Sequence, residues 1–100
     1  MIRLNDILEK ISRYLPEAET GLIEKAYVFS AKVHQGQVRL SGEPYLIHPL
    51  EVAAILAEMK MDITTVASGL LHDTVEDTYA TLEEIQEICG PEIAGLVDGL

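Results

Sequence analysis

The chain has 100 residues, 48% of them hydrophobic, with 17 acidic against seven basic side chains and one cysteine. That length suits one domain with one core, and the acidic excess argues against a nucleic-acid surface, which needs clustered Lys and Arg. Cys89 alone rules out an internal disulfide framework, no apolar run approaches the roughly 20 residues of a membrane span, and Met1–Asp6 lacks a secretory pattern, so a cytoplasmic protein with no membrane partner is expected.

The charge is uneven. From Leu40 onward Lys60 is the one basic residue against twelve acids. Most of these acids read as a solvated surface, and an anionic substrate is repelled there unless a bound metal reverses the local sign. Cys89 reads as a small buried hydrophobe.

The periodicity is helical throughout, with no hairpin signal and no sustained alternation of period two. An all-α bundle of about six helices is expected. Asn5 is placed to cap the first, which runs to about Leu15 with Leu4, Ile7, Leu8 and Ile11 on one face, until Pro16 stops it. A second runs from about Glu19, with Leu22, Ala26, Phe29 and Val33 at helical spacing, and ends near Gly36. His34, at its end, reads as structural. Gln35 to Ile47 is a loop, because Ser41-Gly42-Glu43-Pro44 is turn chemistry. A third helix opens at His48-Pro49 and buries Leu50, Ala53, Ala54, Ile55 and Ala57 before ending about Met59. Asp62 caps a fourth, with Val66, Ala67, Leu70 and Leu71 inward. Thr81 and Glu84 form a capping box for a fifth, which ends at Cys89-Gly90. Pro91 begins a sixth, with Ile93, Ala94, Leu96 and Val97 inward.

The chemistry concentrates in Leu70 to Thr78. His72, Asp73, Glu76 and Asp77 place four ionisable groups in six positions, and the three carboxylates repel one another unless a cation or proton sits among them. If the helix continues, Glu76 lies one turn beyond His72 and Asp77 one turn beyond Asp73. Imidazole and carboxylate donors suit zinc, iron or manganese. His48 is the natural partner: an antiparallel hairpin turning at Met61-Asp62 brings the start of one helix near the end of the next. Three protein ligands with open positions describe a catalytic rather than a structural site, with Glu76 and Asp77 placed to orient or deprotonate a water. The alternatives are that His48 caps its helix, His72 bonds a carbonyl, and Glu76 and Asp77 are a solvated helix end. Two acids at a helix C-terminus are unfavourable by up to about 1 kcal/mol each, so something should offset them. In the preceding loop Arg39 offers a planar fork for base or phosphate, Ser41 a hydroxyl and Tyr45 an aromatic face.

His48 with His72-Asp73 resembles the HD superfamily of metal-dependent phosphohydrolases. His34 through Pro49, with Gly36, Arg39, Ser41, Gly42, Pro44 and Tyr45, resembles the opening signature of the RelA/SpoT family. Gly69 through Thr78 resembles its second, and Leu96-Val97-Asp98-Gly99-Leu100 a third. The similarity runs from about Ala26 to Leu100. It implies the N-terminal portion of an HD-type hydrolase domain that removes the 3′-diphosphate of ppGpp or pppGpp, giving GDP or GTP and pyrophosphate, with Mn2+ as cofactor. It implies His48, His72 and Asp73 as metal ligands, Glu76 and Asp77 as the pair that assists the water, and Arg39, Ser41 and Tyr45 near the substrate. Leu40 stands where many members carry a basic residue. The family's fourth ligand, an aspartate on a later helix, is expected beyond Leu100, and Asp98 matches a different position. A fragment ending there is expected to be inactive alone and to self-associate through an exposed apolar face. A non-catalytic helical module that binds nucleotide, and an HD phosphohydrolase acting on another nucleotide, are the alternatives.

Overall fold

In the computed structural model the described residues are 2–35, 37, 42 and 45–99. Among them the chain is helical with no strand: α1 (Leu4–Tyr14), α2 (Gly21–Val33), α3 (Ile47–Glu58), α4 (Ile63–Leu71), α5 (Thr74–Asp77), α6 (Leu82–Cys89) and α7 (Pro91–Asp98). The all-α bundle expected from the periodicity is present. The described residues form the about six helices expected plus α5, a separate single turn.

α4 is the centre of the bundle. Val66, Ala67, Leu70 and Leu71 are fully buried, as their spacing predicted, and α2, α3 and α7 all pack on this helix. Burying each of the larger side chains stabilises the fold by about 1.5–3 kcal/mol. The core also takes in Ile7 and Ile11 of α1, Ile23 of α2, Leu50 and Ala53 of α3, Ile85 of α6 and Ile93 of α7. Cys89 is buried with them, and burial pushes its thiol pKa up.

Caps decide the helix starts. Asp62 accepts from the Thr65 N–H at 2.8 Å at the head of α4. Thr81 and Glu84 make the expected reciprocal box at α6: the Glu84 N–H reaches Thr81 Oγ1 at 3.2 Å and the Thr81 N–H reaches Glu84 Oε1 at 3.1 Å. The first helix differs from expectation. Asn5 lies inside α1, and the Asp6 carboxylate instead accepts from the Arg3 N–H at 2.9 Å. α2 starts at Gly21 rather than Glu19 and ends at Val33; Gly36, the expected stop, lies outside the described residues.

Two inward assignments are corrected. Ile55 is 60% exposed and Leu96 is 42% exposed. Both lie in helices whose apolar residues cover more than one face, so spacing alone does not say which face is buried.

The turn between α3 and α4 sets the hairpin that carries the site. The Met61 N–H reaches the Leu56 carbonyl at 3.1 Å, and the Lys60 N–H reaches Ala57 at 3.0 Å. This is a Schellman stop with Lys60, at φ +58°, in the position that glycine usually fills. The Tyr14 hydroxyl donates to the Met61 carbonyl at 2.7 Å and ties α1 to the same turn.

Candidate active site

α3 and α4 run as the expected antiparallel hairpin, and their close approach is made at Gly69. A Cβ there would lie 2.7 Å from Leu56 Cδ1, 3.4 Å from Val52 Cγ1 and 3.6 Å from the Ala53 Cα. The Gly69 carbonyl accepts from His72 Nδ1 at 2.7 Å. A carbonyl has no proton to give, so Nδ1 carries a hydrogen, and in the neutral imidazole Nε2 is then the nitrogen whose lone pair is open to a ligand.

That Nε2 lies 3.1 Å from Asp73 Oδ2, and His48 Nε2 lies 3.8 Å from the same oxygen. The two imidazoles are 5.2 Å apart between centroids and tilted by 59°. One ligand atom from each of the three residues lies within 4.8 Å of the others. Donors each about 2.0–2.2 Å from a metal sit roughly 3–3.6 Å apart. The 3.1 Å spacing lies inside that range and the 3.8 Å spacing just above it, so a small closure would let the set hold a divalent cation. All three side chains are part-exposed, which leaves the cluster open to solvent on one side. The carbonyl that fixes the His72 tautomer is the support a metal-bound histidine usually has. A hydrogen bond from His72 to a carbonyl was the structural alternative for this residue; here the bond and the cluster occur together.

The chain does not continue helically through His72. α4 ends at Leu71, and Thr74, fully buried, turns its hydroxyl back to the Leu71 carbonyl at 2.8 Å. α5 then starts. The Asp77 N–H donates to the Asp73 carbonyl at 2.9 Å, so Asp77 does lie one turn beyond Asp73. Glu76 and Asp77 are both exposed. The Tyr45 hydroxyl donates to Asp77 Oδ2 at 2.9 Å and is one group that offsets the clustered negative charge.

Of the loop residues singled out, Arg39 and Ser41 lie outside the described residues. Tyr45 does approach the site, but its hydroxyl bonds Asp77 and its ring stacks on His34, with centroids 5.0 Å apart and planes at 12°. Two contributors were not picked out by sequence. Gly69 was legible in principle, since a glycine inside a buried helix costs about 1 kcal/mol relative to alanine and signals close packing. Gln37 carried no such signal. It bonds His34 on one side and the Asp77 carbonyl on the other.

A profile of the HD domain family matches residues 26–100. The chain belongs to that family. Within it the sequence is of RelA/SpoT type. It is 61% identical over 90 residues to a GTP pyrophosphokinase of Myxococcus xanthus, covering 90% of this chain and 12% of that protein. It is 43% identical over 100 residues to the bifunctional (p)ppGpp synthase/hydrolase SpoT of Escherichia coli K12, covering the whole chain and 14% of the relative. The chain therefore spans a small part of the curated relatives it matches. Among solved structures, a metazoan ortholog of SpoT described as hydrolysing ppGpp superposes with a TM-score of 0.74 at 30% identity, over 81% of this chain and 48% of that one. The matched residues include all three members of the cluster, His48, His72 and Asp73, and no helix among the described residues is long and apolar enough to cross a membrane.

Proposed function

We propose that residues 1–100 are the N-terminal portion of a metal-dependent hydrolase domain that removes the 3′-diphosphate of ppGpp or pppGpp, within alarmone control of the stringent response. The observation that carries this reading is the convergence of His48, His72 and Asp73 from two helices onto one small volume. His48 and His72 offer imidazole nitrogens and Asp73 a carboxylate, a donor set that accepts Mn2+. Bound there, Mn2+ would supply positive charge for the phosphoryl oxygens and lower the pKa of a coordinated water.

The remaining steps fall to the chain's own groups. Glu76 and Asp77 orient the attacking water and take its proton. The water oxygen bonds to the phosphorus next to the ribose, the bond from that phosphorus to O3′ breaks, and O3′ takes up a proton as pyrophosphate leaves. Products are GDP from ppGpp and GTP from pppGpp. Tyr45 holds Asp77 through its hydroxyl. Arg39 and Ser41 are assigned to guanine recognition by their match to the family's loop.

The test is a substrate panel on the full-length protein with Mn2+. Pyrophosphate release from ppGpp and pppGpp, faster than from any other nucleotide in the panel, is the expected result. Preferential turnover of an unrelated nucleotide would assign this HD domain a different substrate.

A further inference from the structure

A chain of side-chain contacts runs from the end of α2 to the end of α5 and meets Asp77 twice. His34 is 3% exposed. Its Nδ1 lies 3.1 Å from Gln37 Oε1, and Gln37 Nε2 donates to the Asp77 carbonyl at 3.1 Å. The protons follow from the partners. A main-chain carbonyl only accepts, so the amide nitrogen of Gln37 must face Asp77 and its oxygen must face His34. That oxygen also only accepts, so His34 Nδ1 carries a hydrogen. The other face of the arrangement is Tyr45, stacked on the His34 ring, with its hydroxyl on the Asp77 carboxylate at 2.9 Å. The Tyr45 N–H closes the loop onto the Gln37 carbonyl at 3.3 Å. His34 thus orients both residues that hold Asp77, one at its backbone and one at its side chain.

Such ties matter because α5 is a single turn of four residues. A helix that short has no stability of its own, and the carbonyl of its last residue needs an outside donor. Gln37 is that donor.

We propose that Gln37, oriented by His34, is a positioning residue for Asp77 and governs the rate of hydrolysis through Asp77 rather than by contact with the phosphate. This rests on the hydrolase reading. The experiment compares Gln37→Glu and Gln37→Leu in the full-length protein, measuring kcat and KM for ppGpp and the Kd for Mn2+. Glutamate keeps the size and still accepts from His34, but presents an acceptor where the Asp77 carbonyl needs a donor. Both variants are expected to lower kcat about 10- to 100-fold, the cost of a small misplacement at the reacting centre. KM and the Mn2+ Kd should stay within about twofold of wild type. In an Asp77→Asn background, Gln37→Leu should lower kcat no further, since both changes remove the same contribution. Wild-type kcat in both single variants would overturn the proposal, as would a loss that adds in full to that of Asp77→Asn, or a parallel loss of Mn2+ affinity. If the wild-type protein binds Mn2+ but releases no pyrophosphate from ppGpp, the hydrolase reading itself falls and this role falls with it.

Discussion

His72 Nδ1 donates to the Gly69 carbonyl at 2.7 Å, three residues back along α4. One glycine therefore serves the site twice. Its missing side chain lets α3, which carries His48, approach α4, and its carbonyl fixes which nitrogen of His72 faces Asp73.

Substitutions at Gly69 should separate by size. Alanine meets the tip of Leu56, a half-buried and flexible side chain, and gains up to about 1 kcal/mol of helix propensity. Gly69→Ala is expected to leave stability within about 1 kcal/mol of wild type. Gly69→Val presses on Val52 and the Ala53 backbone as well, and should destabilise by about 1–3 kcal/mol while weakening Mn2+ binding. Urea denaturation and a metal titration check both.

Lys60 holds a left-handed conformation at φ +58° where the Schellman stop of α3 favours glycine. That conformation costs a residue with a Cβ about 1–2 kcal/mol, partly offset by the greater freedom of glycine in the unfolded chain. Lys60→Gly should stabilise by roughly 0.5–1 kcal/mol in thermal or urea unfolding. A loss of stability would show that the Lys60 side chain makes a compensating contact.

Hydrogen bonds from the Thr65 side chain, and then from its backbone N–H, hold the Asp62 carboxyl below its ordinary pKa of 3.8, slightly opposed by burial. The folded-state value is the lower one, so the cap's ionised contribution is present above about pH 4 and is lost as pH falls through the folded-state pKa. Asp62→Ala should cost about 0.5–2 kcal/mol at neutral pH, and the gap to wild type should narrow in acid. Denaturation curves at pH 7 and at about pH 3 measure this.

What was legible in the sequence was what local chemistry decides. The Thr81–Glu84 box and the Asp62 cap follow from one side chain meeting one nearby N–H. The meeting of His48 with His72 and Asp73 follows from two helices and a short turn. The break between α4 and α5 was not legible, because Leu70-Leu71-His72-Asp73 reads as a continuing helix. A local bond decides it: the Thr74 hydroxyl takes the Leu71 carbonyl and offers the chain a turn in place of another helical residue. Ile55 and Leu96 were misplaced because their helices are apolar on several faces. The Gln37–Asp77 contact spans 40 positions, between a loop and a one-turn helix, and no periodicity encodes that.

The core around α4 is expected to be unforgiving. Leu70→Ala should cost about 2–5 kcal/mol, since Leu70 is fully buried among helices that cannot all close on the gap. Ile55→Ala, at a position 60% exposed, should cost far less. A similar loss at both positions in urea denaturation would mean that α3 is rotated from the orientation described.

The most direct test of the site is a Mn2+ titration of the full-length protein and its Asp73→Asn variant, with pyrophosphate release from ppGpp followed in parallel. Asp73 Oδ2 lies 3.1 Å from the Nε2 of His72 and 3.8 Å from that of His48. The expected result is Mn2+ binding by the wild type, with affinity falling at least about 10-fold and hydrolysis abolished in the variant, while circular dichroism shows the helices intact. Equal Mn2+ affinity and full activity in Asp73→Asn would contradict a metal site at His48, His72 and Asp73.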